Sequence, residues 1–138
     1  MKLVFKRNDE INVNDYINVR DTAGFMEYNK KHHEESIKNS LHTCILYKND
    51  KPAAIARLVG DNKLTFFIKD VVVKPEYKGL GLGKKVFNEI MEYINDNAAP
   101  NAYIALMASK ESETFYKRFG FVKRPNERLG SGMIKFKS

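Results

Sequence analysis

The chain of 138 residues has one cysteine, no tryptophan, four prolines and only three histidines. A single thiol, Cys44, cannot form an intrachain disulfide, so small stapled secreted folds are excluded and a reducing, cytoplasmic setting is expected. Cys44 lies in the apolar run Cys44-Ile45-Leu46-Tyr47, the surroundings of a core thiol rather than of a nucleophile. No apolar run reaches the length of a membrane-spanning helix, and Met1-Lys2-Leu3-Val4-Phe5-Lys6-Arg7 is too short and too charged for a signal peptide. No membrane association is therefore expected. His32 and His33 precede Glu34 and Glu35, but neighbouring helical side chains diverge, so these four cannot converge on one ion. A solvated helix start is expected there, and no metal site.

What is present describes a globular chain: 43% hydrophobic and 30% charged residues, in one domain over residues 1–138. Lysine and arginine number 24 against 17 acidic residues, a net charge of +7, which attracts anions without naming them. Lys2 to Lys6 reads as an edge strand. Asn12 can cap a helix that carries Val13, Tyr16 and Ile17 on one face and ends near Gly24. A second helix is expected over His33 to Ser40. Strands follow at Thr43–Tyr47, Ala53–Val59 and Leu64–Val73, joined by the turns Lys48-Asn49-Asp50-Lys51 and Gly60-Asp61-Asn62-Lys63. Val86, Phe87, Ile90, Met91 and Ile94 mark the buried face of a long helix ending at Asn97, before Pro100. Asn101–Met107 is the next strand, parallel to the one before the helix. A helix capped by Ser109, with Phe115 and Phe119 on its inner face, leads to Gly120, and Phe121–Lys123 and Met133–Phe136 are expected as closing strands.

The most informative stretch is Val71 to Lys85, V-V-V-K-P-E-Y-K-G-L-G-L-G-K-K. A β-branched run stops at Lys74-Pro75, glycines follow at 79, 81 and 83, and a helix begins. Glycine permits positive φ and close approach of a ligand to the backbone. Loop amides and the unpaired amides of a first helical turn then converge on one anion. Spacing excludes two alternatives. The dinucleotide fingerprint needs glycine where Lys84 stands, and the P-loop pattern needs glycine at Lys78 and serine or threonine at Lys85.

The surviving pattern, K-G-L-G-L-G after V-x-V-x-P, resembles the acetyl-CoA pyrophosphate loop of the GNAT acetyltransferases, [Q/R]-x-x-G-x-[G/A], with Lys78 at its first position in place of glutamine or arginine. Phe115-Tyr116-Lys117-Arg118-Phe119-Gly120-Phe121 carries Tyr-x-x-x-Gly-Phe, which resembles the closing motif of the same family. The motifs stand in the family's order, and the likeness covers nearly the whole chain. It implies an α/β fold with a mostly antiparallel central sheet, a splayed parallel strand pair and about four flanking helices. It further implies acetyl-CoA as co-substrate, bound by Val71, Val72, Val73, Lys78, Gly79, Leu80, Gly81, Leu82, Gly83, Lys84 and Tyr116. Where many relatives have asparagine this chain has Ala108, so Ser109 is the expected substitute contact.

Acetyl transfer from a thioester to an amine requires a neutral nucleophile, a polarised carbonyl and a proton for the departing thiolate. Amides of Val71–Val73 can pair with the pantetheine arm like an added strand, and one can bond the thioester oxygen. Tyr116 is the candidate general acid; otherwise it is a helical tyrosine with its ring in the core. Asp70 is the candidate base, directly or through water; otherwise it caps a bulge or pairs with a lysine. The expected function is N-acetylation of a primary amine on a small molecule, such as an amino acid, arylalkylamine or polyamine, by direct attack in a ternary complex. The resemblance implies an acceptor pocket under the first two helices, near Phe25, Met26 and Tyr28. A CoA-binding sensor or interaction domain without turnover is the alternative. Nucleic acid is not an expected partner, because the basic residues are dispersed. The oligomeric state stays open, a homodimer included.

Overall fold

The computed structural model describes all 138 residues. They form two units, Met1–Ala105 and Leu106–Ser138. In the first, β1 (Leu3–Arg7), β2 (His42–Lys48), β3 (Lys51–Gly60) and β4 (Thr65–Val73) lie side by side in chain order, with β5 (Tyr103–Leu106), all but its last residue in this unit, next to β4. The first three pairings are antiparallel, and β4 and β5 run parallel, giving a mixed sheet. The β2–β3 turn needs positive φ at two successive residues. Asn49 (48°) and Asp50 (68°) supply it, since short polar side chains tolerate the left-handed region. At the next turn the Asp61 carboxylate accepts the amides of Lys63, Leu64 and Thr65, fixing the entry into β4.

Helices cover both faces of this sheet. Asn12 caps α1 (Val13–Arg20) by accepting the Asp15 amide, and Asn29 caps α2 (Lys30–Lys38) by accepting that of Lys31. On this side Tyr16 and Val19 pack with Ile45, Ile55 and Val72. On the other side α3 (Leu82–Asn97) buries Leu82, Val86, Phe87, Ile90 and Ile94. Burying a Leu, Ile or Phe side chain contributes about 1.5–3 kcal/mol, so this apolar face suffices to seat α3. Cys44 is fully buried and its thiol is pushed up to about 12, chiefly by burial.

Three expectations need correction. The first α-helix stops at Arg20, and a 3-10 turn over Asp21–Ala23 carries the chain to Gly24 in the left-handed region. The second helix begins three residues earlier than expected, and His33 is buried, 7% exposed, rather than solvated. The closing strands do not form: no residue after β5 joins a ladder. Strand-like composition at Phe121–Lys123 and Met133–Phe136 makes no strand without a partner edge, and Val122, Met133, Ile134 and Phe136 stand exposed. The second unit holds α4 (Glu113–Lys117) and a cluster of Phe115, Tyr116, Phe119 and Phe121 rings, with neighbouring centroids 5.1–6.3 Å apart.

Candidate active site

Between β4 and α3 the chain makes a 3-10 turn at Pro75–Tyr77, then passes through Lys78 into Gly79 (φ 84°) and Gly81 (φ 79°). Both glycines use a conformation that an L side chain takes only at a cost, and a Cβ at either would meet nothing within 4 Å. The backbone path, not crowding, is thus what calls for glycine. Residues 78–81 are exposed. The first helical bond of α3 runs from the Lys85 amide to the Gly81 carbonyl (3.2 Å), leaving the amides of Leu82, Gly83 and Lys84 without helical acceptors. No acidic residue occupies this first turn, and Lys84 and Lys85 are exposed beside it. The combination fits a pyrophosphate. The Leu82 side chain is in the core, 1% exposed, so only its backbone can serve a ligand.

One strand upstream, β4 is bulged. Ile55 pairs with Val72 but Arg57 pairs with Lys69, so two steps along β3 oppose three along β4. The extra length is taken up at Asp70, whose φ is +53°. A bulge re-aims a side chain and interrupts pairing. β5 has four residues against nine in β4, and its Tyr103 amide bonds the Leu64 carbonyl (2.7 Å). Starting level with Leu64 and running parallel, it is too short to reach Val71–Val73.

The bulge turns Asp70 into a buried polar cluster. Tyr16 donates its hydroxyl to Asp70 Oδ2 at 2.7 Å, Arg20 Nε lies 3.4 Å from Oδ1, and Arg57 Nε lies 3.5 Å from Oδ2. The Arg20 and Asp70 side chains are 7% and 5% exposed. Burial, reinforced by the Asp70 charge, holds the Tyr16 hydroxyl well above the usual tyrosine range, so it stays a donor. Arg20 Nη1 donates to the Met26 carbonyl (2.7 Å), and its guanidinium lies over the Phe25 and Tyr28 rings (5.4 and 5.3 Å). His33 sits edge-on to Tyr28 with ring centroids 5.8 Å apart. Burial and then the Arg20 charge hold its imidazole below the ordinary histidine value.

This geometry shows what Asp70 contacts. Its carboxylate is engaged by a hydroxyl and two guanidinium groups, and its charge partners are arginines, not a lysine. Tyr16, Arg20, His33 and Arg57 were not anticipated at the site. The available signals were Tyr16 and Arg20 four apart on one helix face, and a lone arginine inside the apolar strand A-A-I-A-R-L-V.

In the second unit Tyr116 is half-buried, and burial pushes its hydroxyl up to about 12. Ser109 stands at the start of a 3-10 turn, Lys110–Ser112. Its hydroxyl exchanges a 2.8 Å hydrogen bond with that of Ser112 and caps no backbone amide. No three His, Cys, Asp or Glu side chains gather where they could hold a metal ion. No helix is long and apolar enough to cross a membrane.

A mixed sheet whose bulged strand runs into an amide-lined loop and a helix N-terminus defines an acyl-CoA-type acyltransferase fold. Residues 10–137 match the acetyltransferase (GNAT) domain. An uncharacterized N-acetyltransferase, ycf52, of Pyropia yezoensis is 32% identical over 123 residues, spanning 86% of this chain and 70% of the relative. A Staphylococcus aureus protein solved as a probable acetyltransferase has a TM-score of 0.85 at 27% identity, covering 98% of this chain and 100% of that one. A predicted acetyltransferase of Clostridium acetobutylicum, solved with acetyl-CoA, shares the fold at a TM-score of 0.68 and 17% identity, over 95% of this chain and 96% of that one. The chain belongs to the GNAT superfamily and is an acetyltransferase.

Proposed function

We propose that the protein transfers the acetyl group of acetyl-CoA to a primary amine of a small molecule, by direct attack in a ternary complex. The observation that carries this reading is the exposed, positive-φ glycine loop opening α3 with free first-turn amides and no acidic residue. Those amides and the adjacent lysines grip the pyrophosphate. Lys78, Gly79, Leu80, Gly81, Gly83 and Lys84 lie along its path, with Leu82 contributing its backbone alone. Val71–Val73, beyond the reach of β5, offer main-chain groups to the pantetheine arm and one donor for the thioester oxygen.

Tyr116 is the proposed proton donor to the departing thiolate, on the strength of its motif. A phenol near 12 facing a thiol of about 8.5 keeps its proton until charge on sulfur is well developed. Its contribution is then a hydrogen bond that strengthens toward the transition state. Ser109 remains a proposed cofactor contact. Asp70 positions Arg20, Arg57 and Tyr16 beneath the acceptor, and the amine loses its proton to water or to the neutral imidazole of His33. A reducing compartment such as the cytoplasm suits the buried Cys44 thiol.

The test is calorimetric titration with acetyl-CoA, followed by thiol release against a panel of amines. Saturable uptake is expected. Tyr116→Phe should lower kcat by about 100-fold or more while changing acetyl-CoA affinity by less than about threefold. No uptake of acetyl-CoA would end the reading. Normal uptake without turnover of any amine would favour a sensor.

A further inference from the structure

The buried cluster beneath α1 and α2 contains more positive charge than its own fold uses. Two guanidinium groups, Arg20 and Arg57, face one carboxylate, Asp70. The other polar neighbours do not correct this. Tyr16 keeps its proton and His33 is uncharged near neutral pH, while Asp21, the other acid felt at His33, is exposed to solvent. Neither arginine makes a short bidentate pair, since the Nε contacts are 3.4 and 3.5 Å. Arg20 Nε is fully shielded from water and makes no hydrogen bond. A buried cation is tolerated when paired and hydrogen-bonded, and one member of this trio lacks a full partner.

The open edges point the same way. Arg57 uses Nε toward Asp70 and Nη1 toward Ser40 Oγ (3.1 Å), while Arg20 uses Nη1 on the Met26 carbonyl. Arg57 is the more accessible, with its side chain 13% exposed. Phe25 and Tyr28, which frame Arg20, are 42% and 51% exposed, an apolar rim beside a cationic floor. Asp70, at the centre of the trio, directly precedes Val71–Val73 on the bulged strand, so the surplus charge lies next to the segment assigned to the thioester.

We propose that the acceptor is an amine that also carries an oxyanion, a carboxylate or a phosphate, received by Arg57 with Arg20 behind it. This rests on the acetyl-transfer reading and narrows its acceptor class. Guanidinium suits either anion because its planar fork presents parallel N–H donors. An acceptor without an anion would leave the surplus charge unpaired, and one with a second cationic group would be repelled by it.

The test compares acceptors that differ only in the anion: L-phenylalanine with phenethylamine, and O-phosphoethanolamine with ethanolamine. Within at least one pair, kcat/KM should favour the anionic member by about 10- to 100-fold, the worth of one charge-assisted hydrogen bond. The first pair reports a carboxylate and the second a phosphate. Arg57→Gln should collapse that ratio mainly through KM, and Arg57→Lys should restore part of it. Because Arg20 and Asp70 still balance in Arg57→Gln, its melting temperature should stay near that of the wild type. Should the variant unfold, the wild-type ratios still decide. Equal or better use of both anion-free amines overturns the proposal, and so does a ratio indifferent to Arg57. Acetyl-CoA uptake, measured separately, shows whether the broader reading has failed instead.

Discussion

At the scale of the residue, Asp70 separates a structural role from a catalytic one. The Asp70 carboxylate accepts the Tyr16 hydroxyl and lies beside the Arg20 and Arg57 guanidinium groups, contacts that suit a residue holding its neighbours in place. Asp70→Asn removes the one negative charge from a buried pair of cations. Breaking a buried ion pair from one side costs about 3–5 kcal/mol, so chemical denaturation should show a loss of that order. A well-folded Asp70→Asn that binds acetyl-CoA normally but has lost turnover would restore Asp70 as the base. Sequence reasoning found Asp70 because it adjoins the valines, but not its partners. Tyr16 looked like one more apolar-stripe residue, and Arg57 lay inside a strand whose register slips by one on its partner. Which charges meet across such a bulge is a property of three-dimensional register, and local pattern does not encode it. His33 misled for the opposite reason: adjacent histidines and glutamates look solvated, yet one of the four turns inward.

At the scale of the element, the legible parts are those whose signals are local. Asn12 as a cap, the Asn49-Asp50 turn and the apolar face of α3 all rest on contacts within a few residues, and all were anticipated. The closing strands were not legible because a strand needs an edge, and no five-residue window reveals whether one is offered. The glycine loop tests how far local backbone conformation carries function. At Gly81, with φ of 79° and open space around a Cβ, alanine meets no clash but is strained by about 1–2 kcal/mol. Gly81→Ala should therefore melt modestly lower while losing about tenfold or more in acetyl-CoA affinity, because relieving the strain re-aims the amides. Gly60→Ala is the contrasting control. There φ is 151° and a Cβ would fall 2.1 Å from the Thr65 carbonyl oxygen, so backbone must move. That variant should be destabilised by about 3 kcal/mol, with no selective effect on the cofactor in whatever fraction folds. Equal affinity losses in the two would mean that the loop glycine acts through stability alone.

At the scale of the whole molecule, the net charge of +7 is a long-range property, and the amides that grip a diphosphate are short-range dipoles. Screening separates the two. The Debye length is about 10 Å at 0.1 M ionic strength and about 3 Å at 1 M, so added salt should weaken steering of the polyanionic co-substrate while sparing contacts made at hydrogen-bond distance. Stopped-flow measurement of acetyl-CoA binding between about 0.02 and 0.5 M salt should show association slowing by roughly tenfold, with dissociation nearly constant. Lys84→Gln with Lys85→Gln, both exposed at the start of α3, should flatten that dependence more than two lysine changes distant from the loop. If dissociation rather than association carries the salt effect, lysine ion pairs and not main-chain donors hold the phosphates. The part assigned to the glycine loop would then pass to those side chains. The same series addresses the rival use of the charge. Binding of bulk duplex DNA driven by counterion release falls by orders of magnitude across this salt range, so co-substrate affinity that changes by only about tenfold marks a site built around a small anion rather than a polymer.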